Sequence, residues 1–123
     1  MDNKDLVKTA ITAVFKKRDI SAFDKYFSQD YVQHNPQLPN GTAVLKSFIP
    51  TLPEDFDYEP GLLTESGGFV MIHGKYKNWG GKNMIAVDIF KVADGKLVEH
   101  WDVMQEEITA EQSANGNSMF PII

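Results

Sequence analysis

The spacing of apolar residues changes once along this chain, near residue 56, and that change limits the folds open to it. Before it, apolar side chains recur at helical intervals; after it, they alternate. Residues 4–17 place Leu6, Val7, Ala10, Ile11, Val14 and Phe15 on one helical face, with Lys8, Thr9, Thr12, Lys16 and Lys17 elsewhere. Ser21, with Asp24 three residues on, reads as a helix N-cap and acidic first turn, opening a short helix that buries Phe23, Tyr26 and Phe27. Residues 31–41, with Pro36, Pro39 and an Asn40-Gly41 step, read as loop. A third helix is expected from about Thr42, with Val44, Leu45, Phe48 and Ile49 on one face and Pro50 and Pro53 ending it.

From residue 56, a first strand alternates Phe56, Tyr58, Leu62 and Thr64 with Asp57, Glu59 and Glu65, and Pro60 marks it as an edge or bulged strand. Further strands are predicted over 68–78, 83–93 and 96–105, divided by hairpin signals at Gly80-Gly81 and Asp94-Gly95. Helices followed by an antiparallel meander specify an α+β fold, with the three N-terminal helices stacked on one face of a curved sheet. At 123 residues, the chain reads as one domain over 1–123. The strand over 83–93 is apolar on both sides, with Met84, Ala86, Phe90 and Val92 on one and Ile85, Val87 and Ile89 on the other. The helices can cover only one side, so a homodimer is the expected state.

Charge and composition remove several classes of function. With 17 acidic against 12 basic residues, net −5, and no basic cluster, nucleic acid is not an expected partner. No apolar run approaches the roughly 20 residues that span a bilayer, and the charged start MDNKDLVK does not resemble a signal peptide. No cysteine is present, which excludes a thiol nucleophile and cysteine zinc sites and suits a cytoplasmic setting. Three histidines and several carboxylates do not fall in a helical zinc spacing, so no metal is expected.

Hairpin geometry singles out one residue pair. If Gly80-Gly81 is a two-residue loop, Trp79 faces Lys82, and an unbroken ladder counted back from there sets His73 opposite Asp88, with Cβ atoms about 4.5–5.5 Å apart. A four-residue loop on the same glycines gives the same pairing; an odd length destroys it. Across the next hairpin, a two-residue Asp94-Gly95 turn sets Asp88 opposite Trp101, and a three-residue loop sets it opposite His100. A carboxyl group and an imidazole held together among Met84, Ala86, Phe90 and Val92 suit proton transfer near neutral pH. The plainer reading is a buried ion pair that satisfies only itself.

The segments YVQHNP at 31–36, VMIHGKY at 70–76, AVDIFKV at 86–92, DGKLVEHWDV at 94–103 and ANGNSMF at 114–120 resemble the SnoaL-like polyketide cyclases of the nuclear transport factor two-like superfamily. The resemblance implies a cone of three N-terminal helices against a curved antiparallel sheet, an open hydrophobic pocket, a homodimer, and an intramolecular aldol reaction needing no cofactor or metal. It implies Asp88 as general acid–base, His73 as its helper, and His34, His100, Trp101 and Asp102 as pocket-lining positions that bind substrate. The expected function is a cofactor-independent cyclase or isomerase acting on a small hydrophobic carbonyl compound. The alternative is a non-catalytic binding or dimerisation module of the same fold. Hydrolysis of the limonene-epoxide type needs an arginine between two aspartates, and the sole arginine, Arg18, ends the first helix.

Overall fold

The computed structural model describes residues 1–123, and its first half is less helical than its spacing suggests. Helix α1 (Asn3–Ile11) runs on into a π-helical turn over Thr12–Lys16. Together they bury Leu6, Val7, Ala10, Ile11, Val14 and Phe15, as the helical stripe requires. Helix α2 (Ser21–Tyr26) starts at Ser21 rather than after it. Asp19, not Ser21, supplies the capping oxygen, accepting from the Ser21 backbone N–H at 3.0 Å. Helix α3 (Ala43–Phe48) closes in a 3-10 turn over Ile49–Thr51, with Pro50 inside that turn. Arg18 donates its guanidinium to the carbonyls of Leu52 and Pro53 just beyond.

The sheet has five strands, one more than the sequence reading: β1 (Phe27–Gln33), β2 (Asp57–Ser66), β3 (Phe69–Trp79), β4 (Lys82–Ala93) and β5 (Lys96–Glu106), in the order β1-β5-β4-β3-β2. Strand β1 takes in Tyr31–Gln33, read above as loop, and lies parallel to β5 while every other pair is antiparallel. Its pairing breaks between Phe27 and Val32, so it never displays the period of two that identifies a strand. Strand β2 is an edge strand whose register shifts after Pro60, as that proline predicts. The helices lie on one face of the curved sheet, so the α+β cone forms. No helix is long and apolar enough to cross a membrane.

Both hairpin turns form as two-residue loops with positive φ at each central residue, Gly80-Gly81 and Asp94-Gly95. The ladders behind them are not even. Between Trp79–Lys82 and Tyr76–Met84, β3 carries one residue too many, and Asn78 absorbs it at φ 56°. Past that bulge Ile72, not His73, faces Asp88, and His73 faces Val87. A slip of one residue sends every side chain to the opposite face. The expected His73–Asp88 pair is therefore not formed. A second bulge, between Lys91–Glu99 and Val92–Leu97, sets Asp88 opposite Asp102, so neither Trp101 nor His100 stands directly across from it.

The inner face of the sheet, with Val70, Ile72, Tyr76, Ala86, Phe90, Val92 and Leu97, joins the helices in one core cluster. Gly74 belongs to the same face, and the ring of Tyr58 fills the space beside it. The outer face carries Ile85, Val87, Ile89, Trp101 and Val103, the last 69% exposed. Part of that face is covered by the C-terminal segment, whose Phe120 stacks on His73 with ring centroids 5.6 Å apart.

Candidate active site

The bulge at Asn78 decides what surrounds Asp88. It turns Tyr76 onto the inner face beside the carboxylate, and the bulge in β5 turns His100 and Asp102 to the same side. Asp88 is 3% exposed and His100 6%, the two buried charged or polar residues of the chain. Asp88 Oδ1 lies 2.7 Å from His100 Nε2, and its Oδ2 accepts the Tyr76 hydroxyl at 2.8 Å. On its far side, His100 Nδ1 lies 2.6 Å from Gln33 Oε1, contributed by β1. Asp102 stands behind, with Oδ2 3.9 Å from His100 Nε2, and both its oxygens accept from Asn35 Nδ2 at 2.9 and 3.2 Å.

Burial pushes the Tyr76 phenol well above its ordinary value, and the charge of Asp88 beside it adds to the rise. Tyr31 is pushed up for the same reasons, burial first and then Asp88 and Asp102. Tyr76 is therefore a neutral donor to Asp88 throughout the physiological range. The contact between Oδ1 and Nε2 needs one proton between them, because two lone pairs would repel at that distance. Three arrangements satisfy it: carboxylate with imidazolium, carboxylic acid with an imidazole protonated at Nδ1, or carboxylate with a neutral imidazole protonated at Nε2. A pair that can hold its proton on either partner can both take and return one.

These groups border an apolar cavity whose wall includes Phe15, Phe23, Tyr31, Leu38, Trp79 and Met104. The cavity is narrow, about 40 Å³, which is room for a few water molecules. A wider and more open hollow of about 300 Å³ lies on the outer face, bordered by His73, Ile85, Val87, Val103 and Met119. It contains none of the Asp88 cluster.

Of the residues expected to form the site, Asp88, His100 and Asp102 come together at the cavity. His73 does not; it sits in the outer hollow, and its Nδ1 is buried without a hydrogen-bond partner. His34 and Trp101 also lie apart, stacked on each other with centroids 4.7 Å apart and planes 3° from parallel. His34 is bonded there to Glu99 at 2.6 Å. The reason is alternation: His34 and Trp101 are strand-end and strand neighbours of Gln33 and His100, and neighbours point to opposite faces. Sequence reasoning missed Tyr76, Gln33 and Asn35. Two of these stand in YVQHNP beside the histidine it selected, and the third closes VMIHGKY.

The SnoaL-like domain family model matches residues 7–100. This chain belongs to the SnoaL-like domain family. Among solved structures, the SnoaL-like chain is similar to a protein of unknown function with a cystatin-like fold from Xanthomonas campestris, at 24% identity and TM-score 0.68 over 85% of this chain and 91% of that one. It is also similar to IdmH, a proposed polyketide cyclase from Streptomyces antibioticus, at 16% identity and TM-score 0.64 over 84% of this chain and 92% of that one. A proposed ketosteroid isomerase from Kribbella flavida matches at 19% identity and TM-score 0.69, over 84% of this chain and 77% of that one. At such identities the likeness shows the fold, a cystatin-like cone shared with proteins of the cyclase and isomerase type. No curated protein matches the chain by sequence.

In this SnoaL-like chain, ligand atoms of Asp88, His100 and Asp102 lie within 4.8 Å of one another, close enough to hold a cation. A cation would first have to displace the proton between Oδ1 and Nε2.

Proposed function

We propose that this chain binds a small hydrophobic carbonyl compound and moves a proton on it through Asp88 and His100, as an aldol-type cyclase or isomerase that uses no metal or cofactor. One observation carries this reading: a buried carboxyl and imidazole, 2.7 Å apart, bordering an apolar cavity. Asp88 removes a proton from carbon next to a carbonyl, leaving an enolate. In a cyclisation, that carbon forms a bond to a second carbonyl of the same molecule, and the resulting alkoxide takes the proton back. In an isomerisation, the proton returns to a different carbon. Tyr76 and His100 hold the carboxyl at both oxygens, so its direction is set before substrate arrives. Asp102, anchored by Asn35, borders the same space and orients the substrate. His73, His34 and Trp101 have no part in this chemistry.

Asp88→Asn tests the reading against a panel of small hydrophobic dicarbonyl compounds. Turnover is expected to fall by about 10²–10⁴-fold, the range that general acid–base catalysis contributes, with ligand binding retained. Unchanged turnover would refute it.

The narrowness of the cavity favours a second reading, a non-catalytic binding or dimerisation module. With about 40 Å³ free, any ligand beyond a few atoms must displace side chains of the cavity wall. A wild-type chain that binds ligand, detected as a raised melting temperature, yet turns over no member of the panel supports the module. In either reading we assign a homodimer joined through the outer sheet face, in the cytoplasm. The exposed Val103 and the absence of cysteine support these two assignments.

A further inference from the structure

The proton between Asp88 and His100 is reached by His100 through Nε2 alone, and the reason lies in one amide. Gln33 Oε1 touches two groups: His100 Nδ1 at 2.6 Å and the backbone N–H of Asn35 at 3.1 Å. A backbone N–H can only donate. The Gln33 atom that faces it must therefore be the carbonyl oxygen, because an amide nitrogen there would set donor against donor. The same oxygen then faces Nδ1, so Nδ1 must carry a hydrogen. The strand position of Gln33 is itself fixed, with its N–H donating to Asn40 Oδ1 at 2.9 Å and the His34 N–H donating to the His100 carbonyl at 2.9 Å.

We propose that Gln33 is a positioning residue that locks His100 in the Nδ1–H form and directs the exchangeable proton of the pair onto the Nε2–Asp88 Oδ1 line. The proposal rests on the reading of Asp88 and His100 as the proton-moving pair. The groups facing His100 agree with it. Asp88 from β4 meets Nε2, Asp102 of β5 lies 3.9 Å from that same nitrogen, and the Tyr31 ring from β1 stacks 6.4 Å away. Phe90 covers the ring at 4.8 Å. Only Gln33 meets Nδ1, so nothing else sets its state. Without the lock, neutral His100 can place its one hydrogen on Nε2 and donate it to the carboxylate; Asp88 then faces a fixed donor instead of a partner able to accept.

Nitrogen NMR of the imidazole rings tests this directly. A full chain carrying His34→Gln and His73→Gln keeps His100 as its one imidazole. In that background, Nδ1 is expected to be proton-bearing. Gln33→Met, similar in shape but with only a weak thioether acceptor, is expected to move the Nδ1 resonance to the position of a bare nitrogen. Gln33→Glu, which still accepts, is expected to restore the parent position. A bare Nδ1 in the parent, or a proton-bearing Nδ1 in Gln33→Met, overturns the proposal. If Gln33→Met does not fold, the parent and Gln33→Glu decide: proton-bearing in both supports the lock, and bare in either refutes it. These spectra need no substrate, so the lock can stand where Asp88→Asn turnover fails the catalytic reading, and the reverse.

Discussion

Tyr58 carries a buried hydroxyl that makes no hydrogen bond, and a Cβ built on Gly74 would stand 2.5 Å from it. An unsatisfied buried hydroxyl is a liability, so Tyr58→Phe should leave stability unchanged or raise it by about 1 kcal/mol. Gly74→Ala should cost on the order of 1–3 kcal/mol through overpacking, and combining it with Tyr58→Phe should recover part of that loss. Denaturant midpoints of the three variants check both statements. The buried phenols also predict a pH dependence. Burial raises Tyr31, Tyr58 and Tyr76 above their ordinary value, with the charge of Asp88 adding to each. Above about pH 10, an unfolded chain releases these protons while the native chain retains them. The unfolded state then binds fewer protons, and stability falls as pH rises. Below that pH, the contribution is complete. Ultraviolet titration should show these three phenols ionising together with unfolding rather than before it. At this scale the sequence was a partial guide. Asp88 stood out as a lone acid on an apolar face, but the partners of a buried acid depend on strand parity, and a residue string does not print its bulges.

Among the elements, the two hairpin turns were legible because paired positive-φ positions demand glycine or a tolerant substitute such as Asp94. The Asn78 bulge was not, although asparagine is one of the few residues that accepts a left-handed backbone. Its φ of 56° yields a prediction: Asn78→Val should cost about 1–2 kcal/mol, and Asn78→Gly close to nothing. Thermal unfolding distinguishes the two; equal costs would mean that the bulge relaxes without penalty. Strand β1 was missed for a different reason. Phe27 and Tyr31 are buried four residues apart, a helical interval, while Gln29 and Asp30 between them are exposed. Its pairing with β5 comes from tertiary contact and not from local pattern.

Across the whole molecule, the double-sided apolarity of β4 was the most useful sequence feature. It pointed to a sheet covered on both faces, by helices on one and by a second subunit on the other; the outer face carries Ile85, Val87, Ile89 and Val103. Under the proposed dimer, Val103→Glu in that surface should shift the sedimentation coefficient from dimer to monomer at micromolar protein, with the thermal unfolding of the chain otherwise unchanged. A monomeric parent would refute the assigned dimer. The size of the inner cavity was beyond sequence reasoning, because it depends on how the side chains of its wall, drawn from distant segments, pack together. Gln33 and His100, finally, meet although they lie 67 positions apart in the sequence. The β3–β5 meander can form from neighbouring segments and bring Tyr76, Asp88 and His100 together early, since short-range pairings close fastest. The amide that determines which ring nitrogen is occupied arrives only when the far end of the chain docks. A half-assembled chain would hold the acid and the imidazole in place and still leave the direction of their proton unassigned.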